Sequence, residues 1–269
     1  MSFKNKFASL GAPRKIWAIS ALEGDLAVLA RIHAALYEAA APGDRIIYTG
    51  NYLAHDGAST NNLPLDEILH FRRAFLARRG MQLGDIVYLR GAQEELWHRL
   101  LQLQLALAPQ QTLSWIMEHY PEMNFALQGY GSSFNDIAVC QREGILSLTR
   151  WSSSLKESIR HHPGHEAFFS ALRRAAFTDT QADNGNILFV HAGLDPQQPL
   201  TDQGDNLFWG TSGFKKMQAP YHPFSRVIRG FDPDHEGIKI GPMTVSLGGT
   251  QPLCAEMSPQ GDVLGVLAS

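Results

Sequence analysis

Three side chains that can donate to a metal ion stand just after short apolar runs of this sequence: Glu23, Asn51 and His191. A carboxylate, an amide and an imidazole could together hold a single divalent ion such as Mn, Fe, Zn or Mg. His191 also has a simpler interpretation, because an imidazole after an apolar run can be a buried, hydrogen-bonded residue that binds no metal. We favour that simpler interpretation and expect no bound cofactor.

The elements that must position these side chains are strand-like runs alternating with helices. Apolar residues recur at three and four positions over residues 25–40 and 66–79, which predicts two amphipathic helices. The resulting βαβαβ order predicts a parallel sheet buried under helices, with ligand-binding residues at the ends of its strands. The predicted strands cover residues 15–20, 45–49, 86–89, 186–190 and 226–229.

The rest of the chain does not continue this alternation of strands and helices. Residues 94–107 and 112–120 predict a helical insert, a Gly/Ser-rich loop follows, and residues 165–177 predict one more helix. The C-terminal third alternates and turns like antiparallel sheet, with a last strand over residues 261–269. No repeat or linker interrupts the chain, so we expect one domain over residues 1–269, with the helical insert at about residues 94–120.

Five segments at the predicted strand ends carry a family resemblance. In chain order they are ISALEGD, YTGNYLAHDGAS, YLRGAQEE, FVHAGLDP and VIRGFDP. Together they resemble the calcineurin-like metallophosphoesterases, specifically the branch of bacterial serine/threonine protein phosphatases and symmetrical diadenosine tetraphosphatases. That branch carries GDxHG, GDxxDRG, LRGNHE, FVHAGxxP and GH in the same order. The resemblance implies an α/β fold: a four-layer α-β-β-α sandwich with mixed sheets and a helical insert.

The metal-ligand positions depart from the family pattern. Of the six positions that hold metal ligands in that branch, only His191 is unchanged. The other five positions are occupied by Ala21, Glu23, Asn51, Ala92 and Phe231. Alanine and phenylalanine side chains donate nothing, and a neutral amide is a poor bridge between two dications.

The catalytic positions depart as well. Gln93 stands where the family has the histidine that acts as general acid, a function commonly worth ~10²–10⁴-fold in rate. Ala54 and His55 replace an Asp and an Arg, whereas Arg90 and Glu94 still match. We therefore expect no catalytic residues, with Arg90 supporting the backbone.

These replacements favour a catalytically inactive phosphatase-like protein that binds a protein partner or a phospho-ligand. Two alternatives stay open. One is an active phosphoesterase with a rebuilt one-metal site on Glu23, Asn51 and His191. The other is a structural subunit that uses the surface of the helical insert. If the pocket holds no metal, we expect Glu23 to pair with a nearby base: His55, His191 or Arg229.

Composition narrows the partners and the compartment. The net charge of −3 provides no broad cationic surface for nucleic acid. No apolar run approaches the ~18 residues of a membrane helix, so we expect no membrane insertion. Cys140 and Cys254 are the only cysteines, which is typical of free thiols in a reducing cytosol. We expect a cytoplasmic protein with a protein partner that the sequence does not identify.

Four further patterns have ordinary structural interpretations. Gly-Asp pairs that precede elements, such as Gly43-Asp44 and Gly84-Asp85, predict caps or turns rather than metal ligands. The HHPGH segment, with His161, His162 and His165, could bind a transition metal, but its Pro-Gly pair favours a solvated loop. A stripe at helical spacing is either core or a partner-facing groove, and we favour core: Leu96, Leu100, Leu103 and Leu107. Trp97 and Trp115 have the same two interpretations.

Overall fold

The computed structural model describes residues 6–22, 26–54, 63–180, 185–249 and 251–268. Clustering of its backbone contacts divides the chain into two compact units. The first unit comprises Met1–Asn51, His70–Ala92 and Leu172–Ser269, and the second comprises Tyr52–Leu69 and Gln93–Ala171. The second unit therefore extends well beyond the insert expected at residues 94–120. That both units make one domain stays a prediction.

The first unit contains every strand of the described residues, arranged in two mixed sheets. The strands are β1 (Phe7–Ser9), β2 (Ile16–Ile19), β3 (Arg45–Tyr48), β4 (Ile86–Tyr88), β5 (Ala175–Phe177), β6 (Ile187–Val190), β7 (Arg226–Arg229), β8 (Lys239–Ile240), β9 (Thr244–Ser246), β10 (Cys254–Met257) and β11 (Val263–Ala268). The first sheet has the order β11-β10-β2-β3-β4 and the second has the order β1-β5-β6-β7-β9-β8.

The expected parallel pairing is confirmed. In the first sheet β2 pairs with β3 in parallel and β3 pairs with β4 in parallel, while β10 lies antiparallel on the other side of β2. In the second sheet β6, β7 and β9 are parallel neighbours. The antiparallel pairs that the C-terminal third predicts are β8 with β9 and β10 with β11.

Alternating side chains place the core between the two sheets. In β2, Ile16 and Ala18 contribute to the same buried cluster as Ile187 and Phe189 of β6, so the sheets pack face to face. The intervening residues point to the outer faces. On the second sheet, Leu188 belongs to a separate buried cluster that includes Phe208 and Phe214.

Helices cover both outer faces of the first unit. Its helices are α1 (Leu26–Ala39), the His70–Leu76 part of α2 (Pro64–Leu76), α9 (Asn206–Trp209) and α10 (Ser212–Lys215). His33 of α1 donates to or accepts from the Tyr48 hydroxyl at 2.8 Å and stacks on Phe71 of α2. Phe208 of α9 and Phe214 of α10 pack on the second sheet. The predicted α-β-β-α layering is confirmed.

The second unit is helical. Its helices beyond Ala92, the last residue of the first unit, are α3 (Ala92–Leu101), α4 (Pro109–His119), α5 (Met123–Gly129), α6 (Phe134–Glu143), α7 (Ile145–His161) and α8 (His165–Ala171). In the described residues, no helix is both long enough and apolar enough to cross a membrane.

Several predictions of elements were wrong. The helix expected over residues 165–177 ends at Ala171, and Ala175–Phe177 forms β5, because pairing with β1 outweighs the helical periodicity of the segment. The sequence analysis also missed α5, α6 and α7. The signal for α6 was a helix cap, since the Ser133 hydroxyl accepts a hydrogen bond from the Asp136 amide at 3.2 Å.

The Gly-Asp pairs have the predicted structural roles where they are described. Asp44 accepts hydrogen bonds from the Trp17 indole at 3.0 Å and from the Ala41 amide at 3.0 Å. Asp85 accepts from the Gln82 amide at 2.7 Å. Both carboxylates thus fix turns.

Candidate functional site

The segments that follow the strands of the first unit are joined by backbone hydrogen bonds. After β2, the Ala21 amide donates to the Gly230 carbonyl at 3.0 Å, and the Leu22 amide donates to the Gly50 carbonyl at 2.9 Å. Ala21 is fully buried. The first, second and fifth segments therefore meet, as the shared sheet edge requires, but the side chain at their junction is a methyl group.

His191, after β6, joins the second and fifth segments. One ring nitrogen, Nδ1, lies 2.6 Å from the Thr49 carbonyl. The backbone carbonyl of His191 accepts hydrogen bonds from the Gly230 and Phe231 amides, both at 2.9 Å. The Phe231 ring stacks on the imidazole with 5.5 Å between ring centres and 7° between planes. The expected buried, hydrogen-bonded histidine is present.

The hydrogen bond to Thr49 fixes the tautomer of His191. A carbonyl only accepts, so Nδ1 carries the proton and Nε2 carries a lone pair. Nε2 is buried and has no hydrogen-bond partner among the described residues. Burial lowers the pKa of His191 to about 4, although the bond to Thr49 acts in the opposite direction. The imidazole is therefore neutral at pH 7, with one unpaired acceptor.

Close backbone packing surrounds this imidazole. Asn51 is buried and has a left-handed backbone, with φ of 62°. A Cβ added to Gly91 would lie 2.5 Å from Asn51 Oδ1 and 2.9 Å from His191 Cε1. Glycine is thus required at residue 91, because any larger residue would displace a neighbour.

The donor set here does not fit a pair of metal ions. Two divalent cations held by protein need several carboxylate and imidazole ligands around both ions. The described positions offer an amide at Asn51 and an imidazole at His191, whereas Ala21, Ala92 and Phe231 offer no donor atom. Glu23 and His55 lie outside the described residues, and with them the predicted pairing of Glu23.

Arg229, at the end of β7, has a buried partner of its own. Its guanidinium forms an ion pair with Asp232, donates to the Ser246 hydroxyl at 2.7 Å and lies over the Phe214 ring at 4.8 Å. Burial lowers the pKa of Arg229, and the Asp232 charge opposes that effect. Sequence interpretation missed Asp232, although its position three residues after Arg229 was a usable signal.

Arg90 lies at the end of β4 in the first unit. It is half-buried, and its backbone amide donates to the Arg173 carbonyl at 2.6 Å. This backbone contact ties the third segment to the start of the β5 strand. The predicted supporting role of the Arg90 side chain stays a prediction.

In the second unit, Gln93 and Glu94 hold a turn. The Gln93 Oε1 atom accepts hydrogen bonds from the Leu53 and Ala54 amides, both at 2.9 Å. Glu94 Oε1 accepts from the Tyr52 amide at 2.7 Å. Both side chains are buried. An amide oxygen that serves two backbone donors supports the chain and does not transfer protons.

The HHPGH segment is not a solvated loop throughout, as the sequence interpretation favoured. His165 is fully buried, and its ring nitrogens face the Tyr130 hydroxyl at 2.8 Å and Asp66 at 3.2 Å. His162 completes a cluster with Asp66 and His165. Sequence reasoning missed Asp66, because about a hundred residues separate it from the histidines. His161 is exposed, as expected.

The helical unit also exposes apolar side chains. In the predicted core stripe, Leu96, Leu100 and Leu103 are fully buried, but Leu107 is fully exposed, which corrects the prediction for that residue. Beyond Leu103 the chain forms a short 3₁₀ turn and leaves the helical register, so Leu107 points away from the core. Further exposed apolar side chains of the second unit are Leu105, Trp115, Ile145 and Leu146.

A cavity of about 310 Å³ lies beside these residues, lined by residues 108–111 and by Gln141, Gly144, Ile145 and Leu148. Its walls come from α4, α6 and α7. Ile145 is both a lining residue and 54% exposed, so the cavity opens beside the apolar surface.

Comparison with known proteins gives a weak likeness. No protein-family model matches the chain, and no curated protein matches it. Among solved structures, the chain is similar to a serine/threonine phosphatase from Saccharomyces cerevisiae that is itself described as similar to human phosphatase PP5. The two share 11% identity at a TM-score of 0.44, over 94% of this chain and 76% of that chain. An overlap of this size assigns neither a family nor an activity.

Proposed function

We propose that this protein is a catalytically inactive relative of the metallophosphoesterases, from the branch of bacterial serine/threonine phosphatases and diadenosine tetraphosphatases, and that it acts by binding a partner in the cytoplasm. The observation that carries the proposal is the donor set at the converging strand ends. Of the described positions that would hold metals in that family, only Asn51 and His191 carry donor atoms.

The position of the general acid supports the same proposal. In the family a histidine there protonates the leaving group, whereas Gln93 does not titrate and its oxygen already accepts from two backbone amides. Loss of both the metal cage and the acid removes the two main contributions to phosphoester hydrolysis. Binding is the function that this arrangement retains.

The apolar surface of the helical unit supports a protein partner over a free phospho-ligand. Leu105, Leu107 and Leu146 are exposed, and Leu146 directly follows Ile145, which lines the cavity. Clusters of exposed apolar residues commonly mark interaction sites. A structural subunit, the alternative function, would use the same surface to bind its complex.

The test of lost catalysis is hydrolysis of p-nitrophenyl phosphate with added Mn²⁺. We expect the wild-type rate to equal that of the His191→Gln variant and of a blank without protein. A manganese-dependent rate that the substitution abolishes would overturn the proposal.

The test of partner binding is affinity purification from the native cell with Leu107→Asp and Leu146→Asp. Both side chains are exposed, so the variants should fold. We expect a co-purifying protein to be lost with each. Leu264→Asp, at a leucine 58% exposed in β11, is the matched control and should retain it. Retention of the partner by all three variants would count against this surface.

A one-metal phosphoesterase is the second candidate, and the His191 Nε2 atom, which has no partner among the described residues, favours it. A neutral imidazole with a free lone pair is the form that binds metal. Elemental analysis of the native protein separates the two candidates. One equivalent of Mn, Fe or Zn that His191→Gln removes supports the enzyme, and an unchanged metal content supports the binding protein.

A further inference from the structure

The cluster of Asp66, His162 and His165 in the second unit joins two distant parts of the chain. Asp66 lies in the first turn of α2, and His162 and His165 flank the Pro163-Gly164 turn between α7 and α8. One ligand atom from each of the three residues lies within 4.8 Å of the other two. The two imidazole rings stack with 5.0 Å between centres.

Tyr130 holds His165 in a fixed orientation. The Tyr130 hydroxyl lies 2.8 Å from His165 Nδ1, and the tyrosine is buried. With Nδ1 engaged there, Nε2 faces Asp66 Oδ1 at 3.2 Å. This is the arrangement of a metal-binding histidine, whose second nitrogen donates to an oxygen that fixes the ring.

We propose that Asp66, His162 and His165 bind one zinc ion, with water in the fourth position. Two imidazoles and a carboxylate are a common zinc ligand set, with bonds of ~2.0–2.2 Å in tetrahedral geometry. Such bonds place neighbouring ligand atoms ~3.3–3.5 Å apart. The 3.2 Å between Asp66 Oδ1 and His165 Nε2 is slightly below this range, so a small shift lets zinc take the place of the proton between them.

His162 needs the largest adjustment, and its position permits one. It is half-buried and directly follows α7, and its ring contacts Tyr130 edge-on with 5.3 Å between ring centres, so the adjustment is a rotation of an incompletely enclosed ring. The Asp66 carboxylate is 50% exposed, which gives the ion an entry path. Burial lowers the pKa of His165, which favours the neutral imidazole that coordinates metal.

This zinc site is separate from the site at the converging strand ends. All three ligands belong to the second unit, and none occupies a metal-ligand position of the family that the sequence resembles. The ion would clamp the first turn of α2 to the turn before α8. The inference therefore does not depend on whether the protein hydrolyses phosphoesters.

The test is a Zn²⁺ titration of protein stripped with EDTA, read by competition with a chromophoric chelator. Wild type should bind one equivalent, and Asp66→Asn and His162→Ala should each weaken binding at least ~10-fold. The matched control is His161→Ala, which removes the exposed histidine next to the site and should bind like wild type. His191→Gln should also bind like wild type, which separates this site from the first unit.

Two further readouts keep the result clear if a variant loses stability. Co²⁺ in place of Zn²⁺ should give the strong visible absorption of a tetrahedral site in wild type and in His161→Ala. Zinc should raise the melting temperature of wild type but not that of His162→Ala, because only a folded site binds the ion. Zinc uptake that is absent in wild type, or equal in wild type and the Asp66→Asn and His162→Ala variants, would overturn the proposal.

Discussion

His191 shows at the scale of one residue how the site is arranged. Its Nδ1–H group donates to the Thr49 carbonyl, and the Phe231 ring covers one face of the imidazole. Its Nε2 atom is buried and finds no partner in the part of the chain that the structure describes. A buried polar atom without a partner costs free energy of folding. An ion at Nε2 would compensate that cost, but the described residues around it supply one further donor, Asn51.

The buried His191 predicts a loss of stability in acid. As the pH falls below about 6.5, the unfolded chain binds a proton at this residue, while the folded protein does not until about pH 4. The free energy of unfolding should therefore decrease by about 3 kcal/mol over this window because of His191. Urea unfolding at pH 7.5, 5.5 and 4.5 measures it.

The matched variants for this measurement are His191→Gln and His119→Gln. The first removes the buried imidazole and should flatten the pH dependence between pH 7.5 and 4.5. The second removes an exposed imidazole of α4 and should leave it as in wild type. Equal slopes for wild type and His191→Gln would show that burial of this imidazole is not the cause.

Gly91 predicts a large effect of one methyl group. Alanine at residue 91 would bring its Cβ to 2.5 Å from Asn51 Oδ1 and 2.6 Å from the Asn51 amide. We expect Gly91→Ala to destabilise the protein by about 3 kcal/mol. Gly84→Ala is the control, since a Cβ there meets nothing within 4 Å and should change stability by less than about 0.5 kcal/mol. Thermal unfolding followed by circular dichroism compares the two variants.

At the scale of elements, two side chains at the start of α3 hold an earlier turn of the chain. The Gln93 side chain accepts from two amides of the turn at residues 53 and 54, and Glu94 accepts from a third. This turn has no regular secondary structure, so side chains supply its hydrogen bonds.

Removal of the acceptor should destabilise this turn. Gln93→Ala leaves two amides without their partner, and we expect a cost of about 2 kcal/mol in the free energy of unfolding. Gln93→Glu keeps an oxygen at the same place and should cost less than half as much. Urea denaturation gives both values, and equal values for the two variants would contradict this role of the Gln93 oxygen.

The 3₁₀ turn Leu103–Leu105 separates buried from exposed leucines within two residues. Leu103 is fully buried and Leu105 is 74% exposed. We expect Leu103→Ala to cost about 3 kcal/mol of unfolding free energy and Leu105→Ala to cost less than about 0.5 kcal/mol. A large cost at Leu105 in the isolated chain would mean that its surface is covered by protein.

At the scale of the whole molecule, local signals predicted much of the first unit. Strands such as β3 and β7 are short, apolar and bounded by polar or glycine residues, so their bounds were predicted within a residue. The convergence of their ends followed from parallel pairing. Strand β5 could not be predicted, because its pairing with β1 joins segments more than 160 residues apart.

Residues of the site were predictable from the sequence only where a local sequence pattern determines their position. His191 follows β6 directly, so its burial was predictable from the run before it. The cluster of Asp66 with His162 and His165 was not, because only the packing of the helical unit brings these residues together. The partner Asp232 of Arg229 depends likewise on the turn after β7.

The most direct measurement is anomalous scattering from a crystal soaked in Mn²⁺. The account predicts no pair of manganese peaks ~3.5–4 Å apart next to His191 Nε2, the separation that two-metal catalysis requires. A peak at Asp66, His162 and His165 alone would agree with it. Two strong peaks beside His191 would contradict it and would support a metal-dependent phosphoesterase.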